Sequence, residues 1–547
     1  FRCGIRSLRM VEESDYENRG AFTVNNSTSL ARVVVRQIIE SGITDVVISP
    51  GSRNAPLSLA FFAAAEQKLI TVHVRIDERT AAFFALGIIK ATGRPVAVVC
   101  TSGTAVANYH PAVLEAHHTN TPLLVLTADR PAMLRRTGAN QTTEQARIFG
   151  KAVRYFADVD GPVYPMELPL DSLRTGPVHL NLQFDEPLLP DDSGDWLSEI
   201  VVAPKSFVNR AKSATLRLVG ARGVVVIGHD RGGLTVEEIT KFTKTLGWPV
   251  ITEDPLSFPD AIAHASIFLT SQEIRSTLIP QSVLVIGRTT LSRSINAFIK
   301  SSPITYVVDP RTATVDTDRQ ADRVFTSLPD LQGVIQSDDW IATWNKVSER
   351  TKKLVATLDG WNEAVIARTI AAAIPNETAL FVSSSRPIRD LEGFAVPRGG
   401  VVTYANRGLA GIDGNISTAL GIALSHKATV AILGDLSFLY DLTGLIQKED
   451  INCRFIVINN DGGGIFSTLP QRGAHGFETV FGTPHGLNPA EIAKSMGVSA
   501  KQISSLKELE AEVKSPISGI SVVVCDVPDR ESNADNLKAI YDSLKSF

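Results

Sequence analysis

Short apolar runs alternate with longer amphipathic stretches along most of the chain. The clearest runs cover residues 44–49, 96–100, 123–127, 223–227, 283–286, 304–308, 430–433 and 455–458. Continuous apolar runs of this length are typical of strands that are covered on both faces by helices. The pattern therefore predicts an α/β fold built from parallel sheets.

The two ends of the chain resemble each other. Ala85-Leu86-Gly87 precedes the apolar run 96–100, and Ala419-Leu420-Gly421 precedes the run 430–433, with an offset of 334 residues. In both places a helical stretch and a second buried run follow. We therefore predict two similar α/β units that flank a middle one.

The length of 547 residues suits about three domains. Proline-rich or acidic stretches at 187–195 and 337–339 separate them. We predict a polar N-terminal tail over residues 1–22, a first unit over 23–200, a central α/β unit over 201–350 and a third unit over 351–547.

Composition excludes several classes of function. A net charge of −4 gives no general reason to bind nucleic acid or an anionic membrane. No apolar run approaches the roughly 20 residues of a membrane span, and residues 1–20 lack the apolar stretch of a signal peptide. The four cysteines are far apart and match no metal spacing, so reduced thiols are expected. These features favour a cytoplasmic protein.

Two polar residues follow neighbouring runs in the third unit. Asp435 comes directly after the run 430–433 and Gly434, and Asn460 follows the run 455–458, 25 residues after Asp435. A crossover of this length holds one helix and returns to a parallel strand, so both side chains are expected at the edge where such sheets bind ligands. A helix cap at Asp435 and an ordinary turn at 462–464 are the alternative interpretation.

Carboxylate, amide and carbonyl oxygens are the hard ligands that Mg²⁺ prefers, and glycines allow a diphosphate to approach the backbone. Gly-Asp followed at this distance by Asn resembles the motif of thiamine diphosphate enzymes. That resemblance implies that Asp435, Asn460 and the carbonyl of Gly462 hold the metal. Neither the dinucleotide fingerprint nor the phosphate-loop motif of rival nucleotide enzymes is present in the sequence.

Thiamine chemistry also needs a carboxylate that is hydrogen-bonded to the aminopyrimidine ring. Glu78 comes two residues after the predicted strand 71–76 and begins a small, apolar helical stretch. We predict that it is this carboxylate and that it is largely enclosed, which would raise its pKa. An ordinary acid at a helix N-terminus is the alternative.

Further motifs occur in the order of one known family. They are ISPGSRNAP at 48–56, DER at 77–79, TSGTAVAN at 101–108, TADRP at 127–131, GANQ at 138–141, NRG at 406–408, GIDG at 411–414, GDLS at 434–437 and NDGGGIF at 460–466. This set resembles the 2-succinyl-5-enolpyruvyl-6-hydroxy-3-cyclohexene-1-carboxylate synthases of menaquinone biosynthesis, from about residue 25 to the C-terminus.

The resemblance implies three consecutive parallel-sheet domains, namely pyrimidine-binding, central and diphosphate-binding. It implies a transferase that decarboxylates 2-oxoglutarate and adds the succinyl-semialdehyde unit to isochorismate. The cofactors would be thiamine diphosphate and Mg²⁺, with Mn²⁺ as an alternative metal. Because the cofactor would bridge the first unit of one subunit and the third unit of another, we expect a homodimer at minimum and a homotetramer by resemblance.

Substrates with several carboxylates call for arginine, whose planar group holds a carboxylate at two points. The resemblance implies that Glu78, Gln141 and Ser52 are catalytic and that Ser385, Ile412 and Ile465 join the cofactor site. It places Arg53, Arg130, Asn140, Arg293, Arg389, Arg407 and Phe466 at the substrates.

A surface salt bridge is the ordinary alternative for any single arginine. Another thiamine diphosphate carboligase, such as an acetohydroxyacid synthase, is the rival within the class, but its smaller apolar substrates would not explain the arginines. A non-catalytic homologue would be favoured by loss of Glu78 or Asp435, and both are present.

Overall fold

The computed structural model describes residues 24–162, 167–192, 194–202, 214–218, 220–311 and 321–544. The predicted tail, residues 1–22, lies outside these ranges. Every strand pairing within the ranges is parallel, in three large sheets and one two-stranded sheet. No helix in the described part of the chain has the length and hydrophobicity to cross a membrane.

The first unit is a six-stranded sheet. Its strands are β1 Asp45–Ile48, β2 Thr71–Val74, β3 Val96–Cys100, β4 Leu123–Asp129, β5 Tyr155–Val159 and β6 Val178–Gln183, in the spatial order β2-β1-β3-β4-β6-β5. Its helices are Asn26–Glu40, Ala55–Glu66, Glu78–Thr92, Thr104–Asn108, His110–Thr119 and Leu170–Leu173, with 3₁₀ turns at Ala132–Leu134 and Gly150–Ala152. Strands β3 and β4 are wholly buried, which explains their continuous apolar runs.

The described residues of the central unit form seven short strands. They are β7 Thr215–Arg217, β8 Gly223–Ile227, β9 Val250–Thr252, β10 Ser282–Ile286, β11 Thr305–Val308, β12 Arg323–Phe325 and β13 Asp330–Gln332. The main sheet has the order β12-β11-β10-β8-β9, and β13 pairs with β7. The helices are Val236–Leu246, Ala265–Phe268, Gln272–Thr277, Arg293–Lys300 and Asp338–Thr357. The last of these packs Trp340 and Trp344 into the central core, so the predicted boundary at residue 350 falls inside a helix of this unit.

The third unit repeats the first. Its strands are β14 Ala379–Val382, β15 Val402–Tyr404, β16 Thr429–Gly434, β17 Cys453–Asn459, β18 Ser499–Ile503 and β19 Ile520–Asp526, in the order β15-β14-β16-β17-β19-β18. Its helices are Glu363–Ala373, Arg386–Phe394, Asn415–Ala423, Asp435–Tyr440, Pro489–Ser495, Leu506–Lys514 and Arg530–Ser543, with shorter turns at Leu442–Leu445, Gly464–Thr468 and Glu478–Gly482. The same strand permutation occurs in both outer units, so the predicted repeat is confirmed.

The first and third units pack directly on each other. Helix Glu78–Thr92 lies against helix Asn415–Ala423, and their residues share one core cluster. A Cβ atom on Gly87 would lie 2.2 Å from the Thr418 carbonyl oxygen, and one on Gly421 would lie 2.1 Å from that of Phe84. The two Ala-Leu-Gly motifs that reveal the repeat are therefore the points where these helices touch.

Candidate active site

Asp435 and Asn460 lie side by side at the carboxyl edge of the third sheet. Gly434 of β16 pairs with Ile458 of β17, so each side chain follows one of two adjacent strand ends. Asp435 accepts the backbone N–H groups of Leu436 at 2.7 Å and of Gly462 at 2.8 Å. Asp435 is 2% exposed and Asn460 is 8% exposed. The structure thus brings the predicted metal ligands together in a buried position.

The chemistry of this pair fits a hard cation. Burial raises the pKa of the Asp435 carboxyl, although the Gly462 and Leu436 N–H groups and His485 act in the opposite direction. The Asn460 amide donates to Glu363 Oε1 at 2.7 Å, whereas its buried Oδ1 has no hydrogen-bond partner. A buried oxygen without a partner is costly, and a cation would satisfy it. Within the described ranges no group of three His, Cys, Asp or Glu side chains has metal-binding geometry, and the predicted set needs only one carboxylate.

The glycine loop after β17 is tightly packed. A Cβ atom on Gly462 would lie 2.1 Å from the Gly482 carbonyl oxygen, and one on Gly463 would lie 2.2 Å from that of Phe481. Ile465 and Phe466 are half-buried in the following turn, and the Phe466 ring lies 5.5 Å from that of Phe481. The glycines are therefore required by the close approach of segment Glu478–Gly482, and the loop carries an apolar wall.

Ser385 and Ile412 lie on loops of the same unit. Strand β14 pairs with β16, and Ser385 follows β14 with a φ of 75° at the start of helix Arg386–Phe394. Ser385 is therefore at the same sheet edge as Asp435. Ile412 is 36% exposed in the loop before helix Asn415–Ala423.

Glu78 is the first residue of its helix and is half-buried. Its neighbour Arg79 donates to the Asp413 carbonyl oxygen, beside Ile412, and pairs with Asp441 at 2.7 Å. None of the hydrogen bonds formed among the described residues joins Glu78 to Asp435 or Asn460. Within a single chain, the start of this helix therefore lies against the Ile412 loop. Among the described residues, Glu78 forms no hydrogen bond to the predicted metal ligands.

Two arginines lie close together at the carboxyl edge of the first sheet. Arg130, directly after β4, donates to Ser102 Oγ at 2.5 Å and to the Gln141 carbonyl oxygen at 2.7 Å. Arg53 donates to the Phe184 carbonyl oxygen at 3.0 Å. The pKa of Arg130 is lowered, mainly by burial and secondly by the neighbouring charge of Arg53. Two neighbouring guanidinium groups favour an anion, and Arg53 already has one beside it, because Glu186 Oε1 lies 3.4 Å from its guanidinium group.

The side chains around this pair are open to solvent. Ser52, Asn140 and Gln141 are exposed. Gln141, with a φ of 54°, donates through its amide to the Ser102 carbonyl oxygen at 3.0 Å. The structure therefore groups Arg130 and Gln141 around Ser102, which lies in the motif at 101–108 but was not predicted as a site residue.

The other three predicted arginines have different surroundings. Arg389 donates to the Ser385 carbonyl oxygen, and burial followed by the charge of Arg386 lowers its pKa. Arg293 is an exposed residue at the start of helix Arg293–Lys300.

Arg407 is 3% exposed and forms two 3.1 Å bonds to Glu253 of the central unit. The ion pair joins the third unit to the central unit. The Arg407 guanidinium group therefore already has a carboxylate partner. The substrate roles of Arg407, Arg293 and Arg389 stay predictions.

Two residues beside the metal ligands were not foreseen from the sequence. His485 Nε2 lies 3.2 Å from Asp435 Oδ2, and the His485 backbone N–H donates to Asp461 at 3.0 Å. Glu363 accepts from Asn460, as described above. Neither residue has a spacing or a motif that points to this site, because both reach it through the tertiary fold.

Three family models match successive parts of the chain. They are the N-terminal TPP binding domain of thiamine pyrophosphate enzymes at residues 28–148, the middle domain of thiamine pyrophosphate enzymes at 191–382, and the C-terminal TPP binding domain at 395–527. Together with the repeated α/β units, they define a thiamine diphosphate-dependent enzyme.

Curated relatives show which family of thiamine diphosphate-dependent enzymes the chain belongs to. The chain is 38% identical to the 2-succinyl-5-enolpyruvyl-6-hydroxy-3-cyclohexene-1-carboxylate synthase of Thermobifida fusca, over 95% of this chain and 99% of that protein. Identity is 32% to the synthase of the same name from Staphylococcus aureus, over 96% and 99% of the two chains. The chain belongs to this synthase family, as its motifs predict.

A solved structure shares the fold. Benzoylformate decarboxylase from Polynucleobacter necessarius superposes with a TM-score of 0.62 at 16% identity, covering 91% of this chain and 98% of that one. The similarity supports the three-domain architecture alone.

Proposed function

We propose that this enzyme decarboxylates 2-oxoglutarate and adds the succinyl-semialdehyde unit to isochorismate, releasing CO₂, as a step of menaquinone biosynthesis. Membership of the synthase family supports this reaction. The structural observation that carries the substrate assignment is Arg130 beside Ser102 and Gln141 at an open sheet edge, with the charge of Arg53 nearby. Each substrate has two carboxylates, which paired guanidinium groups recognise.

Asp435, Asn460 Oδ1 and the Gly462 carbonyl would hold Mg²⁺, or Mn²⁺ in its place. The support is the unpartnered buried oxygen of Asn460 beside a buried carboxylate. A metal here would neutralise the diphosphate of the cofactor. Ser385 and Ile465 would contact the cofactor from the two neighbouring loops.

Bound thiamine diphosphate would supply the group that takes up the electrons left by decarboxylation. Glu78 would hold a proton at the aminopyrimidine ring, and Ile412 would support the bent form of the cofactor. Gln141, Ser52 and Asn140 would orient the substrates with polar contacts. Arg389 and Phe466 would line the substrate pocket on the side of the third unit. Arg293 and Arg407 are further candidates for substrate contact.

The complete site would need two copies of the chain. Apolar Val74 and Ile76, just before Glu78, are 55% and 62% exposed, and Tyr440 is 57% exposed. Exposed apolar groups beside a predicted catalytic residue favour an interface. We propose a homodimer at minimum, and a homotetramer by family resemblance. The described cysteines, which are buried and unpaired, fit the cytoplasmic location that we also propose.

A mixing experiment tests the shared site. Glu78→Gln and Asp435→Asn variants, each inactive alone, should regain part of the activity after they are mixed and allowed to exchange subunits, because one hybrid site keeps both residues. Continued inactivity despite proven exchange would contradict a site shared between copies.

The substrate assignment is tested with purified protein, thiamine diphosphate, Mg²⁺, 2-oxoglutarate and isochorismate. We expect CO₂ release with 2-oxoglutarate and formation of the coupled product. Faster turnover of pyruvate than of 2-oxoglutarate would instead favour the acetohydroxyacid synthase alternative.

A further inference from the structure

The orientation of the Asn460 side chain is set by a neighbour outside the predicted ligand set. We propose that Glu363 is a positioning residue that fixes the Asn460 amide with its oxygen toward the metal. The inference rests on the metal site of the proposed function and adds a residue to it. Glu363 would not touch the metal and would act through Asn460.

The direction of the amide follows from hydrogen-bond chemistry. Asn460 Nδ2 donates to Glu363 Oε1 at 2.7 Å. An ionised carboxylate only accepts hydrogen bonds, so the amide face toward Glu363 must be the NH₂ group. Oδ1 is then directed away from Glu363, and it is the buried atom without a hydrogen-bond partner. A flipped amide would set two oxygens against each other and would leave the NH₂ group at the cation.

Glu363 is itself held in place. It is the first residue of helix Glu363–Ala373, whose cap is the Asn362 side chain accepting from the Val365 N–H at 3.1 Å. Its second oxygen accepts from Arg386 Nε at 3.3 Å, and Arg386 also pairs with Asp390. Both oxygens of Glu363 therefore have fixed donors, which hold its charge in position.

Only a small cavity lies beside this contact. The cavity beside the Asn460–Glu363 contact measures about 30 Å³ and is lined by both side chains, Arg386, Asp390 and apolar residues of the core. This volume holds roughly one or two water molecules. A Cβ atom on Gly464 would lie 2.3 Å from the same nitrogen, Asn460 Nδ2, so the glycine loop also packs closely against the NH₂ group. The amide is thus confined between Glu363 and the glycine loop.

The test is the metal affinity of Glu363→Gln, measured by electron paramagnetic resonance titration of the full chain with Mn²⁺ in the presence of thiamine diphosphate. A glutamine can donate as well as accept, so it no longer excludes the flipped amide. Substitutions of residues that orient metal ligands weaken metal binding by about 10–100-fold, and we expect a loss in that range.

Asp526→Asn is the matched control. Asn459, the residue before Asn460, donates to Asp526 at 2.7 Å, so the control removes the same kind of contact one residue away. We expect nearly unchanged Mn²⁺ affinity for this variant. Equal affinity losses in both variants would indicate general loosening of the loop and would overturn the inference, as would unchanged affinity in Glu363→Gln.

A reversed pair provides a second measurement, which also serves if Glu363→Gln fails to fold. In Asn460→Asp alone, two carboxylates would face each other and Mn²⁺ binding should be weak. Adding Glu363→Gln supplies a donor to the new carboxylate and frees its second oxygen, so affinity should rise above that of Asn460→Asp. No rise would overturn the inference. Failure of the unsubstituted protein to bind Mn²⁺ would instead refute the proposed metal site.

Discussion

The first and third units share one strand order but carry opposite chemistry at the same edge of the sheet. In the third unit, the ends of β16 and β17 hold buried Asp435 and Asn460. In the first unit, Arg130 after β4 lies near Arg53. The scaffold therefore supplies two equivalent edges, and the residues after the strands decide whether an edge suits a cation or an anion.

The acids at the two edges have different partners. Asp129, at the end of β4, is fully buried and accepts from Arg135 at 2.8 Å and from Asn181 at 2.9 Å. Asp435 is surrounded by backbone N–H groups and His485. Arg135 already neutralises Asp129, so this carboxylate is not available to a metal. Asp435 has no arginine or lysine partner among the described residues, which leaves its charge for a cation.

The edges also differ in exposure. Ser52 and Gln141 in the first unit are open to solvent, whereas the third-unit pair is buried. If the buried edge binds a cation and the open edge an anion, as proposed, the two should respond differently to substitution.

Glu78→Gln should have the largest effect, because Glu78 is the residue of the first unit that is proposed to act on the cofactor. Loss of an acid–base group costs about 10²–10⁴-fold in turnover, and we expect kcat to fall within this range. Mn²⁺ affinity, which depends on the third unit, should stay nearly unchanged. Steady-state kinetics and Mn²⁺ titration check both parts. The exposed Glu66→Gln on the preceding helix is the control, and full turnover in Glu78→Gln would remove the assignment.

Arg130→Met tests the anion site. Hydrogen bonds to charged groups contribute about 1.5–3 kcal/mol, so the KM of at least one substrate should rise roughly 10–150-fold. Mn²⁺ affinity should not change, because the two edges act separately. Arg136→Met is the control, since the Arg136 side chain is 82% exposed on the same loop. Unchanged KM for both substrates would contradict the predicted role of Arg130.

Gly87→Ala tests the contact that joins the two units. The added methyl group would meet the backbone at Thr418 and Gly421, which cannot move as a side chain can. Overpacking of this kind costs about 1–3 kcal/mol, so the urea midpoint of unfolding should fall. Gly161→Ala, where a Cβ would meet nothing within 4 Å, should leave the midpoint nearly unchanged. An equal midpoint for both variants would show that the helices can separate at no cost.

The smallest effect concerns pH and the ion pair between the units. Burial raises the pKa of Glu449 in the third unit, but its hydrogen bond from His73 and the charge of Arg75 outweigh burial and lower the pKa to about 2. A carboxyl whose pKa is lowered by folding stabilises the protein above its ordinary pKa and loses this contribution as pH falls from 4.5 toward 2.

Glu449→Gln should therefore lower the thermal midpoint at neutral pH, and the difference from the unsubstituted protein should shrink below pH 4.5. Thermal unfolding between acid and neutral pH measures this. Glu510→Gln, in an exposed pair with Lys514, should change the midpoint little. A difference that grows on acidification would contradict the ion-pair explanation.

The sequence by itself determined the sheet architecture and the meeting of the two predicted metal ligands. Buried parallel strands must be apolar along their whole length, so the runs were visible without any partner strand. Asp435 and Asn460 each lie directly after such a run, and adjacent parallel strands end at one edge. Their meeting therefore followed from local order and a single crossover.

Only the tertiary structure decided which charged groups were already paired and which polar atoms lacked partners. Glu363 reaches Asn460 across 97 residues, and Glu253 reaches Arg407 across 154. No period or spacing encodes contacts over such distances, because they depend on how separate units pack. Three features are properties of that packing. They are the buried ion pair of Arg407 with Glu253, the unpartnered oxygen of Asn460 and the nearness of Arg53 to Arg130.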